Sequence, residues 1–479
     1  MAHARTVFLD QHEIDLIHAK SIESLQDIGI KVGSKSVLHM LEENGAKVDY
    51  TAMVAYIPEH MVNQALESVQ KDFSLCARDP KRDLHVPTAT FPWVTTSGLA
   101  IFIKDYETGE YRDSTRHDIA AFTRLADAVD SLDFLWTALT ATDVTPLAHG
   151  PHELWVTMQN TTKHVQGVTA QSAEDAKVQI ELAALIAGGK DALKERPLFS
   201  VIACPIAPLT YEKGSIEAQV ELAQAGIPVA SMSMTNGGAS APLPVAGMLV
   251  NANTENLGSI VISQMAAPGA PHIYCSESGP MNMTTASINY ETVEKVVLSI
   301  GLAQMAQHYS LPSLVADAGW GDGLEASVSG AMSLVGQLTG VMGGSDLVTG
   351  FGAVDSAKGI SYEQFIVDSY MWDCSRKYMH AVDISEEKIG LDAVKEVGHG
   401  NHFLTHPHTL KHLRGELIVW EEEKLDFLNM DQEELPAETN RIVRRLLDEH
   451  QVMPIAGDLI EKGDAIIKQY EDTVSNPGV

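Results

Sequence analysis

The chain has 479 residues, 45% of them hydrophobic and 20% charged, which is ample for a large core and too long for one small domain. Its net charge of −31 argues against nucleic-acid binding, which needs a basic surface. The four cysteines, Cys76, Cys204, Cys275 and Cys374, are scattered without CxxC spacing, which argues against a disulfide framework.

No apolar run reaches membrane-spanning length, because Glu221, Gln224, Asn251 and Gln264 interrupt the candidates. The amino terminus lacks a signal-type apolar region, so a cytoplasmic enzyme is expected. Residues 1–130 read as an appendage of helices and a hairpin. His12 to Ile28, Ser34 to Asn44 and Glu59 to Gln70 have helical periodicity, the last behind Pro58. Phe73 to Ala77 and Leu99 to Lys104 read as strands, the second turning at Glu107-Thr108-Gly109 into Glu110 to Arg112. Phe91-Pro92-Trp93 and Thr95 to Gly98 read as a loop between them, with Trp93 and Tyr106 as packing residues.

From residue 131 to 400 strands and helices alternate. Strand-like runs occur at Phe134 to Ala138, His164 to Thr169, Leu198 to Ala203, Pro228 to Ser233, His272 to Cys275, Leu314 to Asp317 and Leu347 to Gly350. Helix-like runs separate them, from Pro151 to Thr161 through Glu325 to Leu338 and Tyr362 to His380. Alternation of this kind implies parallel strands with crossover helices, and the absence of a GxGxxG weakens the open doubly wound alternative. The expected fold is α/β, a TIM-type (β/α)8 barrel whose eighth strand is not placed. Residues 401–479 read as a helical extension, with an acidic stretch Glu416 to Glu434 and helices at Pro436 to Asp448 and Ile455 to Tyr470.

Barrel enzymes keep their chemistry in the loops beyond the strands' carboxyl ends. Here those loops are Thr140 to Asp143, Thr169 to Gln171, Cys204 to Ile206, Met232 to Asn236, Ser276 to Ser278, Asp317 to Asp322 and Phe351-Gly352. Lysine and arginine are nearly missing from them, which disfavours phosphorylated substrates and favours a cationic, methyl-rich ligand held by aromatic faces. Metal binding has a weaker signal. His399, His402, His406, His408 and His412 are dense, but Pro407 breaks the turn and no HExxH occurs, while Cys204 and Cys275 are candidates for a thiolate site. No GxSxG elbow is present.

Val397 to Leu410, VGHGNHFLTHPHTL, followed by Arg414, resembles the closing motif of the trimethylamine methyltransferase family. The Gly343-Gly344-Ser345 turn, the Phe351-Gly352 strand end and the Tyr362 to Asp368 helix share the resemblance. That family moves a methyl group from an amine to the cobalt of a separate corrinoid protein. Its archaeal trimethylamine enzymes carry pyrrolysine, whereas this sequence has only standard residues, the counterpart being expected near Asp317 to Asp322. The chain therefore resembles the non-pyrrolysine branch, which demethylates glycine betaine, proline betaine or carnitine.

The resemblance implies no tightly bound cofactor, a cobalamin carried by a cognate corrinoid protein, and no protein nucleophile, so catalysis is positioning. A quaternary nitrogen leaves as a neutral amine without needing a proton. Trp320 is the first candidate for an aromatic cage, with Phe351 and Tyr274 behind it. Asp317 and Glu277 are candidates to offset the ammonium charge, and His399, His402, Asn236 and Gln171 to bind a betaine carboxylate. Glycine betaine is the expected substrate and a homo-oligomer is compatible. The alternatives are a zinc-dependent barrel methyltransferase or hydrolase, and a binding protein for quaternary amines without turnover.

Overall fold

The computed structural model describes residues 5–88, 91–167, 170–288, 292–317, 341–379, 383–416 and 434–475. Eight parallel strands form one sheet: β1 Trp93–Thr96, β2 Leu135–Trp136, β3 Val165–Gly167, β4 Phe199–Ala203, β5 Val229–Ser233, β6 His272–Ser276, β7 Ser313–Asp317 and β8 Leu347–Phe351. Pairing runs in chain order from β2 to β8, and β8 returns to β1 through Leu347↔Trp93 and Val348↔Val94. The seam between β1 and β2 closes through side chains as well as backbone, Asp133 N and Phe134 N donating to Val94 O at 3.0 and 3.3 Å. Val94 N donates to Asp133 Oδ2 at 2.9 Å, and Trp136 N donates to Thr95 Oγ1 at 2.6 Å.

The expected barrel is therefore present, and the missing strand is Trp93–Thr96, which sequence reading took for a loop. The reason is physical. It is four residues long, follows Pro92 and spends the hydroxyls of Thr95 and Thr96 on the backbone of β2, so it lacks a buried strand's apolar run. Strand formation thus begins before residue 131, inside the segment read as an appendage.

Strand alternation separates two environments. Outward residues of β3 and β4, such as Val165, Phe199 and Val201, pack on helices Ala173–Ala187 and Lys213–Gln224 through Ala176, Ala183 and Leu222. Inward residues Trp136, Ile202, Ala230, Met232, Ile273, Cys275, Leu314 and Leu347 form the barrel's interior. A hairpin of Phe73–Leu75 and Leu84–Val86 joins that interior core. It sits at the strands' amino end, because Cys76 N donates to Pro197 O and Asp79 N to Thr162 O, just before β4 and β3. One end of the barrel is thus plugged, and the opposite end carries the cavity.

The amino-terminal helices Gln11–Glu23, Lys35–Glu43 and Glu59–Ser68 share a core with helices Val245–Ala266 and Val293–Tyr309. The carboxyl-terminal helix Leu435–Glu449 buries Ile442 and Val443 beside Phe365 and Trp372 of helix Tyr362–Met379. The last helix, Gly457–Ser475, packs Ile467 on Trp155 and accepts that indole's N–H at Asp464, 2.9 Å away. No helix among the described residues is long and apolar enough to cross a membrane.

Candidate active site

A cavity of about 260 Å3 opens at the strands' carboxyl ends. Seven of its lining residues decide its chemistry: Trp136 from β2, Cys204 beyond β4, Met232 and Met234 from β5 and its end, Glu277 beyond β6, Asp317 closing β7 and Thr349 of β8. Gly98 and Leu99 complete the wall beyond β1, and Ala353, Ser356 and Ala357 close it beyond β8. The lining is largely apolar and sulfur-rich, with two carboxyl groups on one side.

Backbone bonds fix those carboxyls. Glu277 N donates to Ser233 O at 2.9 Å, and Ser276 Oγ and Ser278 Oγ also donate to Ser233 O, stitching the ends of β5 and β6. Asp317 is held by pairing with Thr349, whose hydroxyl donates to Thr96 O at 2.8 Å. Lys295, on helix Val293–Tyr309 and 3% exposed, reaches both acids: Nζ lies 3.2 Å from Glu277 Oε2 and 3.0 Å from Asp317 Oδ2. Burial, and then the neighbouring Asp317, push the Glu277 carboxyl well above its usual range. Lys295 thus bridges the two carboxyls from one nitrogen. The carboxyls face the cavity and the lysine is not among the cavity's lining residues.

Trp136 owes its position to a glycine. A side chain at Gly98 would overlap the indole at Cε2, Cδ2 and Nε1, so only glycine lets the ring lie flat against this loop. Sequence reading placed Trp136 on a strand without giving it a role, and missed Lys295, which sits in a helical run. Their signals were period-two alternation with Phe134, and a lone lysine on an otherwise apolar helix face.

Of the expected site residues, the structure brings Glu277 and Asp317 together and leaves others elsewhere. Phe351 points out of the barrel, with ring centroids 6.2 Å from Phe365 and 6.1 Å from Trp372. Tyr274 also points outward, donating to Asn253 Oδ1 at 2.9 Å. Tyr274 lies on an outward strand position, and Phe351, although in phase with inward Leu347 and Thr349, faces outward where the β8–β1 register shifts between Val348 and Phe351, so neither lines the cavity. Gln171 spends its amide on Pro146 O at 3.2 Å, and Asn236 organises a turn in which its N–H donates to Ser240 Oγ at 2.9 Å. His399 and His402 are exposed and do not line the cavity. Trp320 lies outside the described residues, as does the predicted Glu325 to Leu338 helix. Among the described residues no three His, Cys, Asp or Glu side chains converge as a metal site.

The family model described as trimethylamine methyltransferase (MTTB) matches residues 2–444. The chain belongs to the trimethylamine methyltransferase family. It is accordingly an enzyme, a methyltransferase, as the closing motif implied. It is 34% identical over 403 residues to the trimethylamine methyltransferase MttB of Desulfitobacterium hafniense, covering 84% of this chain and 81% of that one. A Methanosarcina thermophila protein of the same name is 28% identical, covering 94% of each chain. The glycine betaine methyltransferase of Desulfitobacterium hafniense is also 28% identical, covering 87% of this chain and 89% of that one. Among solved structures, the Methanosarcina barkeri monomethylamine methyltransferase shares the fold, with a TM-score of 0.53 at 10% identity, covering 98% of this chain and 89% of that one.

Proposed function

We propose that this methyltransferase takes a methyl group from a quaternary amine, glycine betaine first, and delivers it to Co(I) of a corrinoid carried by a cognate protein. The carrying observation is the cavity itself, with an indole, two methionine sulfurs and two carboxyls around a space of about 260 Å3. Aromatic and sulfur surfaces suit N-methyl groups, and an indole face attracts a quaternary ammonium. Carboxyl oxygens on the cavity wall add local negative potential, while Lys295 behind them prevents a trap that would hold the cation too tightly. That restraint suits a transfer in which positive charge disappears from the substrate.

A quaternary nitrogen departs as a neutral tertiary amine, so the protein's task is to orient one N–CH3 bond toward the mouth. The corrinoid is a second substrate, and its Co(I) supplies the electron pair for the new bond. The likeness to the Desulfitobacterium hafniense glycine betaine methyltransferase supports this substrate class. Trp320 remains a candidate cage wall on sequence grounds. The test is product analysis by proton NMR, with enzyme, chemically reduced cobalamin and glycine betaine. Dimethylglycine in equal amount to methylcobalamin is expected; intact betaine with active Co(I) and the cognate corrinoid protein present would refute the proposal.

A further inference from the structure

Residues 383–416 hold the closing motif, and none of them lines the cavity. They fold as three short helices, Glu386–Ile389, Leu391–Val397 and Pro407–Glu416, of 4, 7 and 10 residues. Isolated helices shorter than about 12–15 residues are marginal in water, so these three need a surface to pack on. Among the described residues no other element packs broadly on them, and Ala393 is the one buried side chain between residues 383 and 413. Polar contacts tie the helices to one another instead. His408 Nε2 lies 2.9 Å from Glu387 O, and His406 Nε2 lies 3.1 Å from Glu396 Oε2.

The large apolar side chains of this segment face solvent. Leu391 and Val394 stand one turn apart on the second helix, and Leu410 and Leu413 one turn apart on the third. Phe403 and Leu404 lie between those helices, and Ile384 and Ile389 flank the first. All eight are exposed by 40–78%. Side chains of this size, exposed to that degree, present on the order of 900 Å2 of apolar surface. An ordinary monomer's largest patch is about 300–600 Å2, and each partner in a standard interface contributes about 800 Å2.

Charge names the partner. Between Ile384 and Arg414, Glu386, Glu387, Asp392 and Glu396 are balanced by Lys388, Lys395, Lys411 and Arg414. The net charge of −31 therefore falls wholly outside this segment. Two copies of the chain repel each other over the rest of their surface, and this neutral, apolar face is where they can meet without that cost.

We propose that this face pairs with its own equivalent on a second copy of the chain, across a two-fold axis. The interface holds no cavity residue, so it is separate from the methyl-transfer site and independent of the substrate assigned to it.

The test is the mass of the full chain by sedimentation, beside that of Leu404→Glu/Leu410→Glu, whose two positions are 77% and 62% exposed and so tolerate the change in a folded chain. The parent should have twice the chain mass or a higher even multiple of it. The variant should have half the parent's mass, its association weakened by about a hundredfold or more, because the new charges would be buried without partners. Raising salt to about 0.5 M should tighten the parent's pairing by screening the repulsion between two acidic bodies. A measurement without substitution accompanies these. Hydrogen exchange of the parent should quicken on dilution in residues 391–413 and stay constant in the barrel strands.

A monomeric parent, an odd-numbered assembly, pairing loosened by salt, or a variant that keeps the parent's mass would overturn the interface. So would a monomer that binds its corrinoid protein through this face, which assigns the face to that partner. A monomer in which residues 391–413 are already protected from exchange would also overturn it, and would mean that another part of the same chain covers them.

Discussion

Lys295 Nζ lies 3.0 Å from Asp317 Oδ2, in an ion pair whose partners are 3% and 8% exposed at their side chains. Asp317 ends a barrel strand and Lys295 belongs to the helix that precedes it in the chain, so the pair ties one strand–helix unit together at the cavity floor. Glu277 joins at 3.2 Å from the same nitrogen. Removing one member of a buried pair leaves a charge without compensation, which typically costs about 3–5 kcal/mol.

Lys295→Met should therefore lower unfolding free energy by about 3 kcal/mol in urea or guanidinium titration. It should also strengthen binding of a plain cation such as tetramethylammonium, since the carboxyls lose their counter-charge. A variant as stable as the parent would mean that the pair does not hold the site together.

Stability should fall with rising pH through a different buried acid. Burial raises the Glu153 carboxyl from 4.5 to about 7, although it accepts Ala141 N–H at 2.9 Å. Because the folded value is the higher one, its contribution is complete below about 4.5 and disappears as pH rises through 7. Each such group changes stability by at most about 1.4 kcal/mol per pH unit. Between pH 5 and 8 the parent should lose about 2–3 kcal/mol more than Glu153→Gln, read from denaturation at both pH values. Parallel profiles would mean that Glu153 is not titrating in this window.

Gly98→Val tests the seat of the indole. The added methyls would occupy the position of the Trp136 ring and drive it into the cavity. Ligand affinity should fall at least tenfold, with a melting temperature lowered by only a few degrees, because the loop borders the cavity and the ring has space to move into. Preserved affinity in a folded Gly98→Val protein would show that the Trp136 ring does not define the pocket.

Phe351→Ala provides the contrast. Its ring is fully buried between Phe365 and Trp372, so truncation should cost about 3–5 kcal/mol of stability. Affinity of the folded variant for glycine betaine should not change. A selective affinity loss at full stability would return Phe351 to the cage.

Most of the barrel was legible from residue order. Seven strands and helices between them follow from alternation of short β-branched runs with longer periodic ones. The eighth strand was not legible because its closure relies on Thr95 and Thr96 hydroxyls rather than on apolar residues. Carboxyls at strand ends were legible too: Glu277 and Asp317 follow directly from the rule that loops beyond parallel strands meet at one mouth.

Aromatic residues were harder, since a one-residue difference along a strand sends a side chain to the opposite face. Tyr274 falls on the outward phase and Trp136 on the inward one, while Phe351 leaves its inward phase at the register shift after Val348, none of which residue type announces. Lys295 escaped notice because its partners lie 18 and 22 residues away, so its one local signal, a lone lysine on an apolar helix face, does not name them.

Cobalamin absorbance reports the proposed methyl transfer at the metal itself. The full-length enzyme and its corrinoid protein, reduced to Co(I), would be offered glycine betaine and trimethylamine in separate cuvettes. A quaternary-amine methyltransferase should convert Co(I) to methyl-Co(III) with glycine betaine and leave the trimethylamine trace silent. Conversion with trimethylamine alone would contradict the proposed function.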